Sequence, residues 1–143
     1  MMRDELTRAR ALLETGCTCV LVQGEICHTS TLRGVAPLLN WLDNGVDLQG
    51  FSAADKVVGR AAAFLYVLLG VRAVHANVLS TSAEQVLARH GIAVSADTRV
   101  AAIRNRAGDG FCPMEQAVLD AEEPQEALSR IRVRLAQLRA MGN

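Results

Sequence analysis

An α/β fold, a three-layer α-β-α sandwich on a mixed five-stranded sheet, is predicted by three observations. Two β-rich runs, Cys17–Gln23 and Ile26–Thr31, flank Gly24-Glu25, which is the pattern of an antiparallel hairpin. Downstream, apolar strand-like runs alternate with helical stretches, so parallel pairing joined by crossover helices enters the same sheet. Half of the 143 residues are hydrophobic and about one-fifth are charged, enough apolar matter for a packed core.

Each element has its own signal. Residues 3–15 place Leu6, Ala9, Leu12 and Leu13 on one helical stripe, and Gly16 closes it. The hairpin follows, then a short helix or turn over Gly34–Leu42 and a loop over Asp43–Gly50. Ser52 and Asp55 have the spacing of a capping box, which predicts a helix from Ala53 to Leu69, ended by Gly70. Val71–Leu79 reads as a buried strand, and Ser80 or Thr81 caps a helix that runs to His90. Ile92–Val94 and Arg99–Ile103 read as two further strands, followed by a polar loop over Asn105–Gly110. Cys112-Pro113 opens another helix, with proline at its first position, and Pro124 restarts it. Leu128, Ile131, Leu135 and Leu138 then form a seam suited to docking on the sheet or to pairing with a second chain, which makes a homo-oligomer an expectation. No repeat, linker or low-complexity tract divides residues 1–143, so they read as a single domain.

Composition narrows the function classes. Fifteen basic residues balance fifteen acidic ones and the aromatic content is 3%, which disfavours nucleic acid as a partner. The longest apolar run, Ala61–Val71, is too short to span a bilayer and is bracketed by Arg60 and Arg72, so no membrane role is expected. The first ten residues have no apolar core of a secretory leader, and four cysteines fit a reduced compartment, so a cytoplasmic location is expected.

The strings Ala54-Asp55-Lys56-Val57-Val58-Gly59-Arg60-Ala61-Ala62, Val74–Ser80 and Ile103-Arg104-Asn105-Arg106 with Cys112-Pro113-Met114-Glu115 resemble the DUF1893 family over about residues 5–120. Cys17–Val22 and Gly34–Leu39 agree with it. That family is similar in fold to the cytidine deaminases, so the resemblance implies a cytidine deaminase-like sheet. The zinc-deaminase signature is H-x-E at one helix start and P-C-x-x-C at the next. On the predicted elements those starts carry Asp55-Lys56 and Ser80-Thr81-Ser82; His75-Ala76-Asn77 lies inside an apolar strand; Cys112-Pro113 reverses the P-C order. No metal site and no cofactor are therefore expected.

Other candidate residues follow from their chemistry. Lys56 is the one lysine among fourteen arginines, and only lysine of the two can become a nucleophile. At the fourth position of the predicted helix, near its positive end, it is favoured as a free amine, with Asp55 orienting it. Cys112 at a helix N-cap is a thiolate or redox candidate, or a plain cap whose box Glu115 closes. The predicted helix starts at Ser52–Lys56 and at Ser80-Thr81-Ser82 form a corner for an anion, with Asn105, Arg106 and Glu115 nearby. The expected catalytic residues are thus Lys56, Cys112 and Asp55, and the expected ligand residues are Ser52, Ser80, Thr81, Asn105, Arg106 and Glu115. The ligand they suit is a small anion, nucleotide- or metabolite-like. A non-catalytic sensing module and an assembly protein remain as alternatives.

Among the cysteines, a hairpin turning at Gly24-Glu25 places residue 23 opposite 26 and 21 opposite 28. His28 then shares a face with Cys17 and Cys19, with Cys27 on the other. Thiols two apart on a strand are separated by about 7 Å, so buried structural cysteine is the better reading. His75 reads as a hydrogen-bonded core histidine.

Overall fold

The computed structural model describes residues 2–104, 108, 110 and 112–142. Asn105 and Arg106 lie outside the described residues. The elements, in order, are α1 (Met2–Leu13), β1 (Cys19–Gln23), β2 (Ile26–Ser30), α2 (Ala36–Asp43), β3 (Ser52–Val58), α3 (Arg60–Leu69), β4 (Ala73–Ser80), α4 (Thr81–Arg89), β5 (Ala93–Val100), α5 (Pro113–Ala117) and α6 (Pro124–Gly142).

The strand order is β2-β1-β3-β4-β5. β1 pairs antiparallel with both β2 and β3, and β3-β4-β5 are parallel, so the sheet is mixed and five-stranded as predicted. Alternation along β1 divides the core into two layers. Cys19 and Leu21 pack with α2, α3 and α4 on one face, whereas Val20 and Val22 pack with Ala9 and Leu13 of α1 on the other. α1 also grips the hairpin turn: Glu5 Oε2 accepts from the Gly24 N–H at 2.8 Å, and an Arg8 guanidinium N–H donates to the Gly24 carbonyl.

The hairpin register is the expected one, with Leu21 opposite His28 and Gln23 opposite Ile26. His28 sits on the Cys19 face, its ring 6.1 Å from that of Trp41 and 5.8 Å from that of Phe51. Cys17 departs from expectation: it precedes the strand and packs on the α1 side with Val20 and Val22.

Three further expectations are corrected. Ser52 to Val58 is a central strand, not the first turns of a helix. The helix starts at Arg60, so there is no capping box at Ser52 and Lys56 has no helix terminus beneath it. Ala93–Val100 is one continuous edge strand rather than two short ones. The sheet has five strands because these two differences cancel. The 128–138 seam does not lie on the sheet: α6 packs on α3, with Ile131 fully buried and Leu128, Leu135 and Leu138 partly so. α3 is thereby covered on both sides, which explains why Ala61–Tyr66 is apolar all round. Among the described residues, no helix is long and apolar enough to cross a membrane.

Candidate functional site

A cleft of about 360 Å³ opens where β3 runs out toward α3, beside the loop leading into α2 and under α5. Its place beside the carboxyl end of a parallel strand is where open α/β sheets hold ligands, and its size suits a small molecule. Asp55, Lys56, Cys112 and Glu115 all line it, so four of the predicted residues converge there although they are 60 positions apart at the extreme.

Asp55 forms the inner wall. Strand alternation sends it toward α3, where the Tyr66 hydroxyl donates to its Oδ2 at 2.7 Å. The Val57 N–H reaches Oδ1 by a longer bond of 3.4 Å. Behind them, Cys19 Sγ lies 3.2 Å from the Tyr66 oxygen. Since the phenol donates to Asp55, its oxygen is left to accept from the thiol, and the chain Cys19, Tyr66, Asp55 points its donors toward the cleft. Burial raises Asp55 to about 7, against the opposing effect of the Tyr66 and backbone donors. Burial, reinforced by the Asp55 charge, also raises the Cys19 thiol and the Tyr66 phenol well above their ordinary values. Both stay protonated at neutral pH.

Lys56 follows Asp55 on an extended strand and so leaves the opposite face of the sheet. It is exposed and meets the cleft where β1 has not yet begun, its own N–H donating to the Thr18 carbonyl. Asp55 therefore does not orient it. Arg33, just ahead of α2, also lines the cleft and is exposed. Neither cation has an ion-pair partner among the described residues.

Glu115 does not close a box on its own short helix. Its carboxylate crosses to α3, taking the Arg60 N–H at 2.7 Å and the Ala61 N–H at 3.0 Å. Gly59 makes this possible, because a β-carbon there would lie 2.5 Å from Glu115 Oε1. The positive end of α3, open to an anion in principle, is thus filled by the chain's own carboxylate. Cys112 stands at the N-cap of α5, partly buried, with no side-chain capping bond and a helix of only five residues behind it.

The remaining predicted ligand residues lie elsewhere. Ser52 is fully buried, and by alternation it faces α1, away from the cleft. Ser80 is the N-cap of α4, as predicted, accepting from the Ala83 N–H at 3.1 Å. Thr81 donates to the Val100 carbonyl. Ser80 borders a second hollow of about 210 Å³ on the far side of Glu115. Arg60 spans that hollow: its guanidinium donates to Ser82 Oγ and to the carbonyls of Val118 and Ala121, and it lies over the Phe64 ring. The two-helix anion corner is therefore not formed, since one of its helix starts is a strand and the other is capped by its own serine.

A zinc ion of the deaminase kind does not fit these residues. Of the helix starts beside the cleft, Val35-Ala36 of α2 and Gly59-Arg60 of α3 carry neither histidine nor cysteine, and that of α5 offers Cys112 without a second cysteine or a histidine. The cleft's carboxylates are engaged by Tyr66 and by the α3 amides. Among the described residues, no group of three or more His, Cys, Asp or Glu could hold a metal ion.

Tyr66, Cys19, Arg33 and Gly59 were not singled out from the sequence as site residues. Tyr66 did carry a signal: it is the chain's one tyrosine, in a helix that after Arg60 is otherwise built of apolar residues.

Fold and cleft together define a mixed-sheet α/β protein with a cleft of small-molecule size beside the end of its first parallel strand. The chain belongs to DUF1893, a domain family of unknown function, whose profile it matches over residues 8–135. It is similar to a DUF1893 family protein from Thermotoga maritima, known from a crystal structure, with a TM-score of 0.84 and 25% identity over 96% of this chain and 92% of that one. Two deaminases overlap it in part, each with a TM-score of 0.44 over 66% of this chain. One is a diaminohydroxyphosphoribosylaminopyrimidine deaminase/5-amino-6-(5-phosphoribosylamino)uracil reductase from T. maritima, 16% identical and covered over 36% of its length. The other is the dCMP deaminase of cyanophage S-TIM5, 12% identical and covered over 95%. No curated protein matches the chain.

Proposed function

We propose that this protein binds a small anionic molecule, of nucleotide or metabolite size, in the cleft at the end of β3. One observation carries the reading: a cleft of about 360 Å³ joins the buried Asp55 at its inner wall to Lys56 and Arg33 at its edge, two cations with no ion-pair partner among the described residues. Apolar Val35, Ala62 and Met114 make up wall between them, which suits the body of a ligand whose charged group remains near the mouth. The partly buried Cys112 thiol on the same wall supports an extension to covalent chemistry, and a purely sensing protein would use the same pocket.

Calorimetry and thermal-shift titrations with inorganic phosphate, a nucleoside 5′-monophosphate and a dicarboxylate test it. At least one probe is expected to bind the wild type and to lose at least tenfold in affinity in Lys56→Met or Arg33→Met, with the unliganded melting temperature unchanged. A bound ligand at 100 times its dissociation constant adds about 2.7 kcal/mol to stability, well within reach of the shift measurement. Binding that survives both substitutions would refute the assignment.

A further inference from the structure

We infer that Asp55 is the proton-transfer group of the cleft: it gives a proton to a basic nitrogen or enolate carbon of the bound anion, and Tyr66 is its positioning residue. This rests on the cleft being a ligand site. A carboxyl group in the wall of an apolar cleft is costly to keep unless something uses it, and perturbed groups of this kind cluster where chemistry is done.

The geometry assigns each oxygen a part. Oδ2 is fixed by the Tyr66 hydroxyl at 2.7 Å, so the carboxyl plane cannot turn freely. Oδ1 takes the longer 3.4 Å bond from the Val57 N–H and is the oxygen we assign the proton, while the Lys56 N–H and the Cys19 thiol also act as donors to the carboxyl group. In the transfer, the Oδ1–H bond breaks, its electron pair stays on oxygen, and the proton joins the ligand's lone pair or carbanion. The new carboxylate is held by the Tyr66 O–H and the Val57 N–H, two donors already in place that need no rearrangement. Tyr66 is itself backed by the Cys19 thiol at 3.2 Å. Water at the cleft mouth returns the proton. Among the described residues, the other titratable or charged groups around Asp55 are Lys56 on its own strand, Arg33 ahead of α2, Cys112 at the N-cap of α5 and Glu115 within it. A value of about 7 leaves both forms of Asp55 populated at neutral pH, as an acid–base group requires.

A diazo reagent reads this chemistry without knowledge of the natural ligand. It takes a proton on its diazo carbon from a protonated carboxyl, loses dinitrogen, and leaves an ester on the carboxyl oxygen. We would treat the full-length protein with a neutral diazoamide, and with the same diazoamide carrying a phosphonate tail, then map esters by peptide mass spectrometry. The expected result is one ester, on Asp55, absent in Asp55→Asn. Its rate falls about tenfold per pH unit above neutrality, and in Tyr66→Phe that fall moves to higher pH because a donor to the carboxylate is gone. The phosphonate reagent labels at least tenfold faster than the neutral one, and Lys56→Met removes that advantage. Should Tyr66→Phe fail to fold, the wild-type pH profile and the Asp55→Asn control decide alone. Esters spread over the exposed carboxylates, or a wild-type rate already falling below pH 5, would overturn the inference. Labelling of Asp55 with no phosphonate advantage would uphold the acid and refute the anion site. Phosphonate binding without an ester on Asp55 would do the reverse.

Discussion

Replacing Gly59 by alanine probes the contact that joins α5 to the start of α3. The backbone at Gly59 has φ −102°, open to any residue, so alanine introduces no backbone strain. Its β-carbon would lie 2.5 Å from Glu115 Oε1, and the carboxylate, being the far end of a flexible side chain, simply moves away. The cost is therefore the lost cap rather than the collision. Replacing a capping side chain by alanine costs about 0.5–2 kcal/mol. Loss of a charge at the positive end of a helix adds about 0.3–1 kcal/mol. The expected total is about 1–3 kcal/mol, or roughly 4–12 °C in melting temperature for a chain of this size. Glu115→Ala should cost the same, because it removes the same two bonds to the Arg60 and Ala61 amides. The decisive measurement is a double-mutant cycle by urea denaturation. If one event underlies both losses, Gly59→Ala/Glu115→Ala is no less stable than Glu115→Ala alone, within about 0.5 kcal/mol. Additive losses would refute the reasoning, as would a Gly59→Ala protein as stable as the wild type.

Four other outcomes are expected. Asp55 is raised from 3.8 to about 7 in the folded protein, so its contribution to stability is present at acid pH and declines as pH rises from about 4 through 7, by up to about 4 kcal/mol; Asp55→Asn should abolish that decline in urea melts across pH and be the more stable protein at pH 8. Arg60→Met removes bonds to Ser82, Val118 and Ala121 and should cost about 2–3 kcal/mol, with Arg60→Lys recovering less than half, since an ammonium cannot replace the planar fork. Ile131→Glu should unfold the chain, by more than about 3 kcal/mol, rather than dissociate an oligomer, because Ile131 is buried against its own chain; circular dichroism with sedimentation separates the two. Cys19 should resist iodoacetamide until the protein unfolds, while exposed Cys27 and partly buried Cys112 react in the native state, as timed mass spectrometry would show.

The hairpin register was legible because a two-residue turn at Gly24-Glu25 leaves one register that keeps Leu21 and Val22 buried, although β1 begins at Cys19 rather than Cys17 and β2 ends at Ser30. The segment from Ser52 to Val58 was not. It is a central strand, and its first four residues are buried on both faces, so the alternation that marks a strand is missing. Ser52-Ala-Ala-Asp55 then imitates a capping box, and alanine favours helix on propensity alone. The error ran on into the site: Asp55 and Lys56, read as neighbours at a helix start, leave opposite faces of a strand. β5 failed in the other direction, since its polar residues Ser95 and Asp97 divide an edge strand that needs no continuous apolar run. Asp55, Lys56, Cys112 and Glu115, four of the nine residues expected at the site, line one cleft, but a strand end rather than a helix start brings them there. Tyr66 and Cys19 reach Asp55 only through packing between β1, β3 and α3, which no spacing along the chain encodes.

The carboxylate that completes α3 comes from 55 residues further along the chain. At synthesis rates of about 5–20 residues per second, α3 leaves the ribosome some 3–11 s before Glu115 does. Arg60 waits longer still for the carbonyls of Val118 and Ala121. For that interval the first turn of α3 has its amides bare, and the inner wall of the cleft exists without the segment that closes it. A nascent chain stalled ahead of residue 112 would hold the Cys19–Tyr66–Asp55 chain in a half-built pocket. The order of translation therefore makes this protein's cleft among the last parts of its described fold to be finished.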